Sequence, residues 1–226
     1  MTVLQNNIPQ INPLEAIFTE LIPQGNTSTR AYKKNENIYL PKDSADRIYF
    51  LKKGRVKVVS YYDGAKEIIK NLVTEGDIFG VSSLLGQEFR NDGAVAMEET
   101  EVVMVTKDTL KGLMAQDPTL SMLIMKILGD RLMAVEHRLE GLVYKNSRSR
   151  VIDFLRRLVN KSGQRVGYEM LVRKFFTHQE IASLTATSRQ TVTTVLNELR
   201  TKNILTFNRR RLLVRDMDLL IAEGRF

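Results

Sequence analysis

Apolar and polar positions change rhythm along the 226 residues. From Tyr32 to about Val105, apolar residues come in short runs separated by turn signals. In "RIYFLKKGRVKVVSYYDGAKEIIKNLV", Ile48, Phe50, Val56 and Val58 alternate with polar neighbours, while Gly54 and the Asp63-Gly64 pair mark turns. "EGDIFG" breaks the chain again at Gly76 and Gly80, and "AVAMEETEVVMVT" predicts a further strand pair. Strands at this spacing with glycine-rich corners predict a β-sandwich or jelly roll. After Thr106 the period lengthens. Leu120, Ile124, Ile127, Leu128, Leu132, Val135, Leu139 and Leu142 recur at helical spacing, with no proline after Pro118. One long helix is predicted, and its stripe calls for a partner helix, most simply its own copy. Packing against its own domain is the competing account. Residues 1–30, ahead of the roll, are polar with one short helical candidate, Pro13 to Leu21.

The last third reads as helix, helix, helix and hairpin, entered through the polar hinge "YKNSRSR". "RVIDFLRRLVNK" places Val151, Phe154, Leu155 and Leu158 on one face. "THQEIASL" opens with Thr177 and carries Glu180 three residues on, a capping-box arrangement. "SRQTVTTVLNELR" opens with Ser188, a good N-cap, and repeats Val192, Val195, Leu196 and Leu199 at i, i+3, i+4, i+7. "NILTFNRRRLLV" reads as a two-stranded wing with arginines at its tip.

Charge sharpens this division. From Arg148 to the end there are 16 Lys+Arg against 7 Asp+Glu, leaving 18 and 19 of the total 34 and 26 for residues 1–147. The basic excess thus sits in the last third, which points to a polyanion-binding module behind a near-neutral one. A merely solvated basic surface would give the same balance. The chain has no cysteine, so disulfides, Cys-ligated metals and iron–sulfur clusters are out. No apolar run approaches the roughly 18 residues of a membrane span, and the N-terminus lacks the pattern of a secretory signal. A cytoplasmic protein with no membrane partner is expected.

If the four apolar residues of the "SRQTVTTVLNELR" helix face a core, Arg189, Gln190, Thr193, Thr194 and Asn197 face outward. These are side chains that read base edges: Arg bonds guanine O6 and N7 together, Gln does the same to adenine, and Thr offers a hydroxyl and a methyl. Two short helices joined tightly, the second exposing that face, make a helix-turn-helix. Thr177, His178 and Gln179 at the start of the first helix and Ser188 at the start of the second are candidates for DNA contacts, the free N–H groups there suiting phosphate. Arg209 and Arg210, with Arg211, would grip the flanking backbone from the wing. An ordinary solvated helix surface is the plain alternative.

With these residues in view, the sequence resembles the Crp–Fnr family of bacterial transcription regulators from about Tyr32 to Val214, most specifically in "THQEIASLTATSRQTVTTVLNEL". The resemblance implies an α+β chain: an N-terminal β-roll (jelly roll) that senses an effector, a long dimerisation helix and a C-terminal winged helix-turn-helix. In residue numbers this gives a polar extension over 1–30, the roll over 31–117, the dimerisation helix and hinge over 118–146, and the DNA-binding domain over 147–226. It further implies a homodimer on palindromic double-stranded DNA that works with RNA polymerase, as an activator by the family's habit. Arg189 matches the base-reading arginine. Gln190 stands where many members have glutamate, which puts the half-site in doubt, and Ala186 stands where the turn often has glycine.

The effector segment is "GDIFGVSSLLGQEFRNDGAVA". In relatives that bind cyclic AMP, a glutamate for the ribose is expected at Val81 and a hydroxyl residue for the phosphate at Asn91, while Arg90 is kept. The N–H groups of Gly80, Val81, Ser82 and Ser83, with Arg90 and Asn91, remain candidates for an anion. "FGVSSLL", Arg90 ahead of Ala94-Val95-Ala96, and Arg131 with Glu136 on the long helix are similar to cyanobacterial nitrogen regulators that sense 2-oxoglutarate. The expected effector is therefore a small anion, a 2-oxoglutarate-like acid or a cyclic nucleotide, or there is none, Arg131 then pairing with neighbouring acids. No other cofactor is implied. Haem is disfavoured because the two histidines, His137 and His178, lie outside the roll, and a jelly-roll metalloenzyme would need histidines inside it. A regulatory cyclic-nucleotide-binding subunit acting on a protein partner is the rival reading, and it leaves the basic C-terminal third without a purpose.

Overall fold

In the computed structural model, which describes residues 13–18, 27–62 and 66–224, the period-two region forms strands β1 (Thr27–Tyr32), β2 (Asn37–Tyr39), β3 (Arg47–Lys53), β4 (Arg55–Tyr62), β5 (Lys66–Thr74), β6 (Ile78–Phe79), β7 (Gly93–Ala96) and β8 (Thr100–Thr106). They pair antiparallel in two four-stranded sheets, ordered β1-β8-β3-β6 and β2-β7-β4-β5. Tyr49, Leu51, Phe79 and Val102 from the first sheet meet Tyr39, Val56 and Ala94 from the second in one buried cluster. The expected sandwich is present.

Several expectations change on the way. The polar extension was to end at residue 30, yet β1 begins at Thr27 and pairs with β8, Thr27 opposite Val105. The sequence sets Ile48 and Phe50 in alternation with polar neighbours, but Ile48, Tyr49, Phe50 and Leu51 are all buried. Tyr49 and Leu51 belong to the inter-sheet cluster, whereas the other face of β3 is covered by the N-terminal helix α1 (Pro13–Ala16) and the turn after it. Phe18 stacks on Phe50 with ring centroids 5.3 Å apart. A strand covered on both faces reads as a continuous apolar run rather than an alternation. The helix expected over Pro13–Leu21 is described only to residue 18, and its remainder, like the Asp63-Gly64 turn, lies outside the described residues. The "AVAMEETEVVMVT" strands exist but do not pair with each other: β7 joins the second sheet and β8 the first, the chain crossing between sheets at Met97–Glu99.

The change of period at Thr106 is a helix cap. Its Oγ1 accepts from Thr109 N at 3.2 Å and opens α2 (Lys107–Gln116), followed by α3 (Pro118–Tyr144). Leu120 and Ile124 are buried, while Leu132, Val135, Leu139 and Leu142 further along the same helix are exposed. The chain divides into two compact units, Met1–Ile124 and Met125–Phe226, and this division falls inside α3.

In the second unit, α4 (Ser147–Ser162) starts two residues after α3, with Asn146 Oδ1 accepting from Ser149 N at 3.0 Å. Most of the expected hinge is therefore helical. Val151, Ile152, Leu155 and Val159 are buried on α4, whereas Phe154 and Leu158, expected on that face, are half-buried. Phe154 meets Phe176 edge to face, centroids 5.8 Å apart. Next come a hairpin of β9 (Gly163–Val166) and β10 (Glu169–Arg173), α5 (His178–Thr185), α6 (Arg189–Thr201), the wing β11 (Leu205–Phe207) and β12 (Arg211–Val214), and α7 (Met217–Glu223). The first hairpin and α7 were not expected. The hairpin extends the wing into a sheet ordered β11-β12-β10-β9, with Met170 opposite Val214.

Candidate nucleic-acid interface

The interface grows from two helix starts. Thr177 Oγ1 accepts from Glu180 N at 3.2 Å while Glu180 Oε2 accepts from Thr177 N at 2.8 Å, the reciprocal capping box that the sequence predicts for α5. Ser188 Oγ accepts from Thr191 N at 2.9 Å and opens α6. Between them Ala186 takes the left-handed conformation, φ 49° and ψ 49°, where an L side chain is strained. Thr187 N closes the turn on Ala182 O at 3.0 Å.

On α6, Val192, Val195, Leu196 and Leu199 are all buried. At about 100° per residue, Arg189, Gln190, Thr193, Thr194 and Asn197 then fall within roughly 140° of arc on the other side. Arg189, Gln190 and Thr194 are exposed, and Asn197 is half-buried. Thr193 differs from expectation. Its hydroxyl donates to Arg189 O at 2.9 Å, so it accepts from the Nδ1–H of His178 at 2.8 Å. Its one proton is spent on a carbonyl of its own helix, the bond from His178 joins α5 to α6, and Thr193 has no proton left to donate to a base. His178 is held further by Phe207, ring centroids 5.7 Å apart. Burial, and then the charge of Arg189, hold its proton affinity below the ordinary 6.5. Neutral His178 therefore has an acceptor at Nε2, which suits a phosphate only after a proton is gained. Thr177 and Gln179 are exposed beside it.

The wing tip is shaped by Asn208, whose Oδ1 accepts from Arg210 N at 2.8 Å and Arg211 N at 2.9 Å. Arg209, Arg210 and Arg211 are exposed there, and the Arg200 guanidinium of α6 lies over the Phe207 ring, 5.3 Å from its centroid. Two residues with structural roles here escaped the sequence reading. Arg148 binds Glu198 of α6 at 3.5 Å and Glu223 of α7 at 2.5 Å, and Arg150 bonds the carbonyls of the α5–α6 turn. Neither spacing announces itself locally, because the partners are 35 to 75 residues away.

The effector candidates in the roll are arranged differently. Gly80 has φ 72°, and a Cβ there would lie 2.9 Å from the Tyr49 ring and 3.0 Å from Arg90 Nη1, so only glycine fits. A tight 3-10 turn, Val81–Leu85, follows, with Val81 and Ser82 half-buried and Ser83 buried. Ser83 Oγ and Arg90 Nη1 both donate to Gly80 O at 2.9 Å. Arg90 is 2% exposed, and its Nη2 donates to Arg47 O. Its guanidinium lies 4.5 Å from the Tyr39 ring centroid and 5.5 Å from that of Tyr49, while Nε is buried without a partner. Burial holds both tyrosines above their usual range, so they stay neutral. An incoming anion would have to displace carbonyls from Arg90. Asn91 is exposed. Arg131 (half-buried) and Glu136 (exposed) lie on the part of α3 that belongs to the second unit, whereas Gly80 to Asn91 belong to the first.

No helix of the described residues is long and apolar enough to cross a membrane. Among them there is also no group of three or more His, Asp or Glu side chains able to hold a metal.

Residues 29–117 match the family description of the cyclic nucleotide-binding domain, and residues 149–223 that of the Crp-like helix-turn-helix domain. The chain is 31% identical over 185 residues to a global nitrogen regulator of Nostoc sp., covering 81% of this chain and 83% of that one. It is 29% identical over 197 residues to the cyclic AMP receptor protein of Thermus thermophilus, covering 86% and 88%. A solved structure of a CooA mutant from Carboxydothermus hydrogenoformans superimposes with a TM-score of 0.77 at 27% identity, over 88% of both chains. These relatives are regulators of transcription, not enzymes.

Proposed function

The chain belongs to the Crp–Fnr family of DNA-binding transcription regulators, and on that premise we propose that it acts as a homodimer whose two α6 helices enter successive major grooves of a palindromic site. The observation that carries this reading is the exposed face of α6. Arg189, Gln190 and Thr194 stand outward on a helix whose opposite face is wholly buried. Arg189 reads a guanine, Gln190 and Thr194 read its neighbours, and Asn197 borders them. The helix starts at Thr177, Gln179 and Ser188 hold phosphates, as do Arg209 and Arg210 from the wing. Two copies join along α3, where Leu132, Val135, Leu139 and Leu142 form an exposed apolar stripe, Leu139 at 62% exposure. A stripe of this kind is covered by a second helix. The dimer works in the cytoplasm and activates transcription by contact with RNA polymerase, both following from the family.

For the roll, the family reading is a small anionic effector held by Gly80 to Ser83, Arg90 and Asn91. The similarity to a global nitrogen regulator supports a 2-oxoglutarate-like acid, and that to a cyclic AMP receptor protein supports a cyclic nucleotide. A regulator that needs no effector is a second reading, favoured by the commitment of both Nη groups of Arg90 to main-chain carbonyls.

The test is selection of bound duplexes from a random pool, with no addition, with 2-oxoglutarate and with cyclic AMP, followed by sizing of the complex. A two-fold symmetric sequence carrying two chains is expected. A strictly monomeric chain indifferent to every duplex would overturn the proposal, and dependence on one addition would identify the effector.

A further inference from the structure

Arg150 sits in the first turn of α4, and its guanidinium reaches three main-chain carbonyls. Nε donates to Thr185 O at 2.9 Å, Nη2 to Ala186 O at 2.9 Å and Nη1 to Lys145 O at 2.8 Å. Thr185 is the last residue of α5 and Ala186 its cap, in the turn that leads to α6. Lys145 follows the last residue of α3. All three acceptors are carbonyls at helix C-termini, which lack partners within their helices and carry the negative end of the dipole. One cation thus satisfies two helix ends that converge on it. The planar fork matters as much as the charge, because its N–H groups point to separate acceptors at fixed angles.

We propose that Arg150 is a positioning residue whose fork sets the angle of the α5–α6 pair to the end of α3. Only Lys145 and Asn146 separate α3 from α4. Arg150 adds bonds from the start of α4 to the chain on either side of it: back to the α3 terminus and across to the recognition turn. Lysine at this position keeps the charge but offers one nitrogen, which cannot serve three carbonyls in different directions.

The chain has no cysteine, so Glu140→Cys on α3 and Thr201→Cys at the end of α6, both exposed, take spin labels at those two places alone. Electron–electron dipolar spectroscopy, with labelled chain diluted in unlabelled chain, then reads the distance distribution in the native, Arg150→Lys and Arg150→Gln backgrounds. Helical circular dichroism selects conditions in which each variant is folded. A narrow native peak that broadens in both variants is expected. An unchanged width in both variants, or a narrow peak restored by lysine, would overturn the proposal, since a residue that only adds stability leaves the folded distance as it was. A variant that stays unfolded under every condition also overturns it, because the residue then serves folding as a whole.

A second arm rests on the DNA-binding reading. Arg150→Lys should lose roughly tenfold in affinity for the selected site, about one base contact per half-site, with affinity for random duplex kept. Equal losses on both duplexes would argue against positioning. A native chain that selects no site would sink the DNA reading and leave the distance measurement standing as a test of the clamp.

Discussion

Arg90 and Arg189 carry the same guanidinium in opposite settings. Arg90 lies at 2% exposure against the Tyr39 and Tyr49 rings, with both Nη groups on carbonyls of its own unit. Arg189 stands exposed at the first position of α6, where its neighbours Ser188 and Thr191 bond each other and leave it pointing outward. A charge turned inward on the protein's own acceptors contributes to holding a fold together. A charge turned outward beside unspent polar groups is available to a ligand. The family assigns a ligand to both regions, but only the recognition helix presents its donors ready for one.

This contrast is broken most strongly by Arg90→Ala. It takes a buried donor from Arg47 O and one of two side-chain donors from Gly80 O, which keeps Ser83 Oγ, at about 1–3 kcal/mol for a buried group left unsatisfied. The first unit should unfold at clearly lower denaturant, while the folded fraction keeps its affinity for the selected DNA site. If stability stayed level and only an effector response disappeared, Arg90 would be a ligand-holding residue and the contrast would fail.

Arg189→Ala should do the reverse. Unfolding midpoints should hardly move, specific binding should weaken by roughly 1–3 kcal/mol, and discrimination should relax at one base pair per half-site. Competition assays against single-base variants of the site read this directly. Loss of affinity for specific and random duplexes alike would make Arg189 a phosphate contact.

How far each region could be read from sequence follows from the range of its interactions. The caps at Thr177 and Ser188 and the buried set Val192, Val195, Leu196 and Leu199 are local patterns, and they appear in the structure as the sequence predicts. The β3 faces were misread because the cover on Phe50 comes from Phe18, far back in the chain, and alternation cannot report a strand buried on both sides. The partition of β7 and β8 between sheets is likewise a matter of distant pairing, with Val95 opposite Lys57 and Val103 opposite Phe50. In the sites themselves, residue types were legible and their commitments were not. Nothing in "SRQTVTT" says that the Thr193 proton goes to Arg189 O, or in "EFRND" that Arg90 turns onto Gly80.

A smaller effect sharpens the recognition side. Ala186→Gly removes the left-handed strain at the turn, about 1 kcal/mol or more, against an entropic cost of roughly 0.5–1 kcal/mol. A stabilisation of about 0.5 kcal/mol is expected in denaturant titration of the second unit. A clear destabilisation would mean that the alanine methyl makes a contact worth more than the strain.

A pH effect separates a group that is merely buried from one that meets DNA. His178 takes its proton below the ordinary 6.5 because burial, and then Arg189, disfavour the cation. As pH falls, the unfolded chain therefore binds this proton before the folded one. The second unit should lose stability as pH falls through about 6.5, levelling off below the folded value, and His178→Gln should remove that part of the loss. A DNA phosphate beside Nε2 reverses the sign, since it favours the cation in the complex. Binding then takes up a proton, and affinity for the selected site should rise between about pH 7.5 and pH 5.5 by up to roughly tenfold per unit of pKa difference. His178→Gln should flatten that rise. Native and variant affinities that fall in parallel on acidification would place His178 with Arg90, as a group spent inside the protein, and leave the phosphate to Thr177, Gln179 and Ser188.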